Sequence, residues 1–99
     1  VEATPDLLID NKTLADHLLT PTRIYVKSML ALAQTGIMKG AAHITGGGFI
    51  DNIPRVLPDH CAAYLEMTSW TLPPVFQWLQ QQGNLSHTEM RRTLNCGVG

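Results

Sequence analysis

Apolar positions along this chain alternate between helical spacing and short unbroken runs. Leu14, Leu18 and Leu19 fall at helical spacing and predict a short helical turn over 13–19. Thr20-Pro21 then offers a capping hydroxyl followed by proline at a first helical position. Val26, Met29, Leu30 and Ala33 recur at i, i+3, i+4 and i+7, so a helix is expected up to Gly36. Residues 40–45, GAAHIT, are short and apolar and predict a strand. Phe49, Ile50, Ile53, Val56 and Leu57 return to helical spacing, with Pro54 expected to kink or end that helix near Ile53.

Pro58-Asp59 marks a turn, CAAYLEM at 61–67 predicts a second strand, and 68–73 reads as loop. Pro74 opens a helix whose apolar members are Val75, Phe76, Trp78 and Leu79, closed by Gly83. Ser86-His87-Thr88-Glu89 is a capping box, predicting a short helix to about Leu94. A third strand is expected from about Cys96, whereas residues 1–12 read as a weakly structured leading segment. This order implies an α/β domain whose helices cover a sheet. Trp70 and Trp78 are expected as core or interface anchors.

Composition narrows the function classes. At 99 residues the chain is one domain or part of one, and 44% hydrophobic with 15% charged is ordinary for a globular protein. A formal charge of −1 lacks the footprint that phosphate-backbone binding demands, which argues against a nucleic-acid partner. No apolar stretch approaches the roughly 20 residues needed to span a bilayer, and no signal-peptide pattern opens the chain, so no membrane partner is expected. Cys61 and Cys96 form no C-x-x-C and are expected as reduced thiols in a cytoplasmic protein. His17, His43, His60 and His87 share no metal-ligand spacing, so no metal site is expected. With Val1 at one end and a nascent strand at Gly99, the chain reads as a piece of a longer polypeptide.

The sharpest chemical signal is Gly46-Gly47-Gly48, lying between a predicted strand and a predicted helix. Three glycines in a row cost about 0.5–1 kcal/mol each if they merely continue an element. Two explanations stay open. Converging backbone N–H groups at a helix N-terminus form an anion cradle suited to a phosphate; alternatively, the glycines allow a tight turn with close strand–helix packing. The spacing matches neither G-x-G-x-x-G nor a P-loop. Thr45 could lend a hydroxyl to the same anion, and His43 shares its strand face. Arg23 and Arg55 are each able to fork onto a phosphate, or to serve as surface arginines. No nucleophile elbow is present, and nothing marks either cysteine as a nucleophile.

Four stretches together, LLTPTRIYVKS (18–28), AHITGGGFIDNIPRVLP (41–57), VFQWLQQQGN (75–84) and EMRRTLNCGVG (89–99), resemble the carboxy-terminal domain of the aminoimidazole ribonucleotide synthetase family. That family is also called phosphoribosylformylglycinamidine cyclo-ligase. The resemblance covers residues 13–99 and implies an incomplete carboxy-terminal domain: an α/β (α+β) fold in which a mixed β-sheet is covered by helices. It implies a step of purine biosynthesis, in which ATP phosphorylates the formamide oxygen of formylglycinamidine ribonucleotide. A nitrogen on the amidine side then attacks the activated carbon, closing the imidazole ring and releasing phosphate. The implied enzyme is a cytoplasmic homodimer using ATP and Mg, both bound mainly by an amino-terminal domain that these residues lack, so the chain alone is expected to be inactive.

On that pattern Thr45, Gly46, Gly47 and Gly48 match the glycine-rich loop expected to hold the substrate's 5′-phosphate at the interdomain cleft. His43, Thr22, Arg23, Tyr25, Asn52, Arg55 and Asn95 match surrounding positions as substrate or supporting contacts. The resemblance assigns no catalytic residue. Asn95, Gly97 and Gly99 match its last glycine-bearing strand, where close backbone packing is at least as good an explanation. A sheet lacking its further strands would leave an unpaired edge and predicts weak stability or association. Two alternatives stand beside this reading: another phosphotransferase of the same superfamily, such as a selenophosphate synthetase or thiamine-phosphate kinase, and a non-catalytic phosphate-binding or assembly module.

Overall fold

The computed structural model describes residues 2–99. Its elements in chain order are β1 (Leu8–Ile9), β2 (Lys12–Thr13), α1 (Leu14–Leu19), α2 (Val26–Gln34), α3 (Gly48–Asn52), a 3₁₀ turn (Pro54–Val56), α4 (Pro74–Gly83) and α5 (His87–Thr93). Helices plus one small antiparallel sheet make an α+β arrangement.

The sheet differs from expectation in place and extent. It is a two-residue hairpin, pairing Leu8 with Thr13 and Ile9 with Lys12, within the segment read as weakly structured. Asp10 and Asn11 form its loop at φ 49° and 64°, the positive values that a type I′ turn needs at both central positions. Asx residues tolerate that region, which is why Asp-Asn can make the turn without glycine. The strands expected at 40–45, at 61–67 and from Cys96 are absent among the described residues, and with them the mixed sheet. A strand exists only through a paired neighbour, and these segments pair with nothing among the described residues. GAAHIT also offers few β-favouring side chains to compensate.

Helix ends follow local chemistry more closely. Thr13 caps α1, its hydroxyl accepting from the Asp16 N–H at 3.1 Å. Thr20-Pro21 does not open α2: the Thr20 hydroxyl donates to the Asp16 carbonyl at 2.6 Å and closes α1 instead. α2 starts only at Val26 and stops before Gly36, as the stripe implied. α3 ends at Asn52 with Ile53 as its cap, and Pro54, lacking a donor, passes the chain into the 3₁₀ turn. Pro58 to Cys61 closes as a turn through a 3.0 Å backbone bond. Pro74 opens α4, and Asn84 takes the left-handed cap after Gly83. The capping box is half made: Ser86 accepts from the Glu89 N–H at 3.1 Å. The Glu89 carboxylate turns instead to Arg92 and Thr93.

The core is small. Ile44, Phe49, Met90 and Cys96 form its buried centre, with Trp70, Leu72, Phe76 and Leu94 packed around them. Phe49 and Trp70 stack at a tilt with centroids 5.8 Å apart, and the Trp70 indole donates to the Cys96 carbonyl at 3.4 Å. α3 lies on α5, while α4 packs against α1 and β1. A radius of gyration of 15.9 Å exceeds the about 13 Å of a compact domain of this length. The excess is visible in α2, where Val26 and Leu30 are 60% and 57% exposed and no side chain is buried. Its apolar stripe is thus present but, apart from the half-buried Met29, left largely exposed among the described residues.

Both cysteines are free thiols, Cys61 exposed and Cys96 buried. Burial pushes the Cys96 thiol up, against a smaller opposing pull from the Arg91 charge. Iodoacetamide is expected to label Cys61 and spare Cys96 in the folded chain, read by mass spectrometry. Equal labelling of both would show that the Cys96 side of the core is open.

Candidate functional site

Three glycines lead from the buried Ile44 into α3, and each stands in a different environment. Gly48 is buried at φ 61°, and a Cβ there would lie 2.0 Å from the Arg91 carbonyl oxygen. Its lack of a side chain is explained by packing against α5. Gly47 caps α3 at φ 94°, and a Cβ would meet the Asp51 carboxylate at 2.6 Å. Its identity is explained by backbone conformation. Gly46 has no such reason: no atom lies within 4 Å of where its Cβ would be, and its φ is not in the left-handed range. Only here is a bare backbone left over after folding has been accounted for.

Gly46 opens on a depression of about 330 Å3, whose walls include Thr22, His43, Thr45, Thr93 and Asn95. A second depression of about 630 Å3 adjoins it, sharing Thr22, Phe76 and Asn95 and adding Lys12, Arg23 and Tyr25. Residues as far apart in sequence as Lys12 and Asn95 therefore face one composite cleft. Two cations and several hydroxyls line it, and no Asp or Glu does. A wall without Asp or Glu side chains suits an anion even though the chain as a whole carries a charge of −1.

The supporting contacts are local. Tyr25 accepts from the Gly99 N–H at 3.2 Å, and a Cβ on Gly99 would come within 2.7 Å of the ring. Asn95 accepts from the Gly97 N–H at 3.0 Å, so its carboxamide shapes the 95–98 turn. Close packing accounts for this glycine-bearing end. The Thr93 hydroxyl donates to Glu89 at 2.7 Å and, with Arg92, holds that exposed carboxyl below its ordinary range. Among the described residues no three His, Cys, Asp or Glu side chains are grouped as a metal ion would require.

Asn52 and Arg55 stand apart from the cleft. Asn52 is buried beneath the loop with its Nδ2 at 2.8 Å from the Gly48 carbonyl and 3.3 Å from those of Thr45 and Gly46. Arg55 donates to Asn52 Oδ1 at 3.5 Å and lines neither depression. α3 has only five residues, so its dipole adds little to the loop, and Lys12 and Arg23 line the larger depression rather than the one that Gly46 borders. Sequence reasoning missed Lys12 and Thr93. Lys12 reaches the larger depression through a hairpin signalled only by Asp-Asn after the short apolar run Leu7-Leu8-Ile9, and nothing local marks Thr93.

Residues 1–99 match the family described as AIR synthase related protein, C-terminal domain. The phosphoribosylformylglycinamidine cyclo-ligases of Burkholderia mallei (strain SAVP1) and Burkholderia pseudomallei (strain 668) are each 56% identical to the chain over 99 residues. The match covers 98% of this chain and 28% of each relative, so the chain spans little more than a quarter of their length.

Proposed function

The chain belongs to the AIR synthase related protein family, as its C-terminal domain, and from that membership we propose that it supplies the substrate-phosphate wall of a phosphoribosylformylglycinamidine cyclo-ligase. One observation carries the reading: Gly46, the one glycine of the three that folding does not require, opens on a depression bordered by Thr22, Thr45, Thr93 and Asn95, which shares Thr22 and Asn95 with a second one lined by Lys12 and Arg23, and no Asp or Glu side chain lines either. In this reading the 5′-phosphate of formylglycinamidine ribonucleotide sits against the Gly46 and Gly47 amides. Thr45 and Thr22 add hydroxyl donors, and Arg23 and Lys12 add charge. Gly48 serves the loop by packing, Asn52 and Arg55 by support from below, and His43 and Asn95 border the site.

The chemistry of the whole enzyme then runs as a phosphoryl transfer followed by ring closure. The ATP γ-phosphoryl moves to the formamide oxygen, a nitrogen on the amidine side attacks the activated carbon, and the oxygen leaves with phosphate. This chain's share is to bind and orient the ribonucleotide by its phosphate, which fixes the reacting end in place. In this reading ATP and Mg are bound mainly by the amino-terminal part of a homodimeric parent protein, as the family resemblance implies, and the chain alone is inactive.

The test is an amide NMR titration of the chain with formylglycinamidine ribonucleotide. Shifts confined to residues 22–25, 43–48 and 95 are the expected result. A dispersed spectrum without shifts in those segments would refute the assignment.

A further inference from the structure

We propose that Asn52 turns the glycine loop into an anion cradle by fixing the direction of its peptide planes; the inference rests on the phosphate reading above. Asn52 is the one buried polar side chain among the described residues. Its Nδ2 faces the carbonyls of Thr45, Gly46 and Gly48, at 3.3, 3.3 and 2.8 Å. A carboxamide nitrogen has two N–H groups, so three acceptors share them, and only the NH₂ end can face carbonyls.

No cis peptide occurs among the described residues, and in a trans unit the C=O and N–H point in opposite directions. The carbonyls of Thr45 and Gly46 belong to the same units as the N–H groups of Gly46 and Gly47. Drawing those two carbonyls down onto Asn52 therefore aims these two N–H groups away from it. Neither amide enters the backbone bonds of the turn, whereas that of Gly48 is spent on the Thr45 carbonyl at 2.9 Å. Without Asn52 the Thr45 carbonyl keeps the Gly48 N–H, but the Gly46–Gly47 unit loses the donor that holds its carbonyl and is free to flip, presenting an oxygen to the cleft that repels an anion.

The residue type follows from both ends of the side chain. Leu would leave three carbonyls without this donor, and Asp would set a carboxylate against them. Asn alone of that shape donates to the loop while accepting from Arg55. It is a positioning residue and needs no contact with substrate.

The experiment titrates the ¹⁵N-labelled chain with ribose 5-phosphate, using ribose as the control, in the wild type, Asn52→Ala and Asn52→Asp. The wild type is expected to shift at Gly46 and Gly47 with the phosphate and not with ribose. Both variants are expected to bind ribose 5-phosphate at least about tenfold more weakly, with Ile44 and Met90 signals in place. A residue that merely stabilised the fold would lower the melting temperature and leave the affinity of the folded population unchanged. That outcome overturns the inference and leaves the phosphate reading standing. If Asn52→Ala does not fold, the affinity of the isosteric Asn52→Asp decides between these two outcomes. A wild type with no shift at Gly46 and Gly47 overturns the phosphate reading and this inference together.

Discussion

Gly48→Ala is expected to abolish cooperative folding of the chain. The added methyl would be placed 2.0 Å from the Arg91 carbonyl oxygen, 2.8 Å from the Arg91 carbonyl carbon and 3.0 Å from that of Arg92. All three are backbone atoms of α5, so no side-chain rotation relieves the clash. The position also sits at φ 61°, where a Cβ costs about 1–2 kcal/mol. Separating α3 from α5 would open the contact between Phe49 and Met90, two of the four residues at the core centre. Overpacking of a filled site costs about 1–3 kcal/mol, so the two effects together reach about 3 kcal/mol. A core this small has little margin against that loss. Circular dichroism on heating should show a broad, non-cooperative loss of helix, whereas a sharp transition at the wild-type temperature would mean that α3 and α5 are not in this contact.

Gly46→Val should do the opposite, keeping the fold and removing phosphate binding. No atom lies within 4 Å of its Cβ position, so the branch point of the new side chain meets no protein, and no left-handed φ stands in its way. It would project over the same depression that Thr45 and Asn95 border, where the phosphate is proposed to approach the backbone. Displacing an anion from its amide donors should weaken binding about tenfold or more. Titration with ribose 5-phosphate, alongside a melting curve, checks both halves. A folded variant with unchanged affinity would show that the anion does not lie against Gly46. Gly47 is the poorer probe, because φ 94° makes any substitution there strained whether or not a ligand binds.

The parts legible in the sequence were those fixed within a few residues. Ser86 caps a helix because a hydroxyl three positions ahead meets a free N–H wherever the chain goes next. Pro54 ends α3 and Pro74 opens α4 through the missing donor and fixed φ of the residue itself. Strands were not legible in the same way. GAAHIT and CAAYLEM carry apolar runs, but a strand is completed by a partner elsewhere, and among the described residues the one ladder forms across Asp10-Asn11. The stripe on α2 was equally visible, yet periodicity names a face without naming what covers it, and here the face is exposed.

For the candidate site, the glycine triplet and its neighbours stood out in the sequence, and their resemblance placed the chain in its family. Which glycine stays open was decided only by the fold. Gly48 is claimed by a carbonyl of α5 more than forty residues away. Gly47 is claimed by its own dihedral angle, and Gly46 is left free. The sequence by itself determined the local elements, the family and the unusual backbone at 46–48, because each depends on residue type and short spacing. Tertiary structure alone decided that Lys12 and Arg23 line one depression, Thr45 and Gly46 an adjoining one that shares Asn95 with it, and that Asn52 lies beneath the loop, because these depend on contacts that only packing brings together.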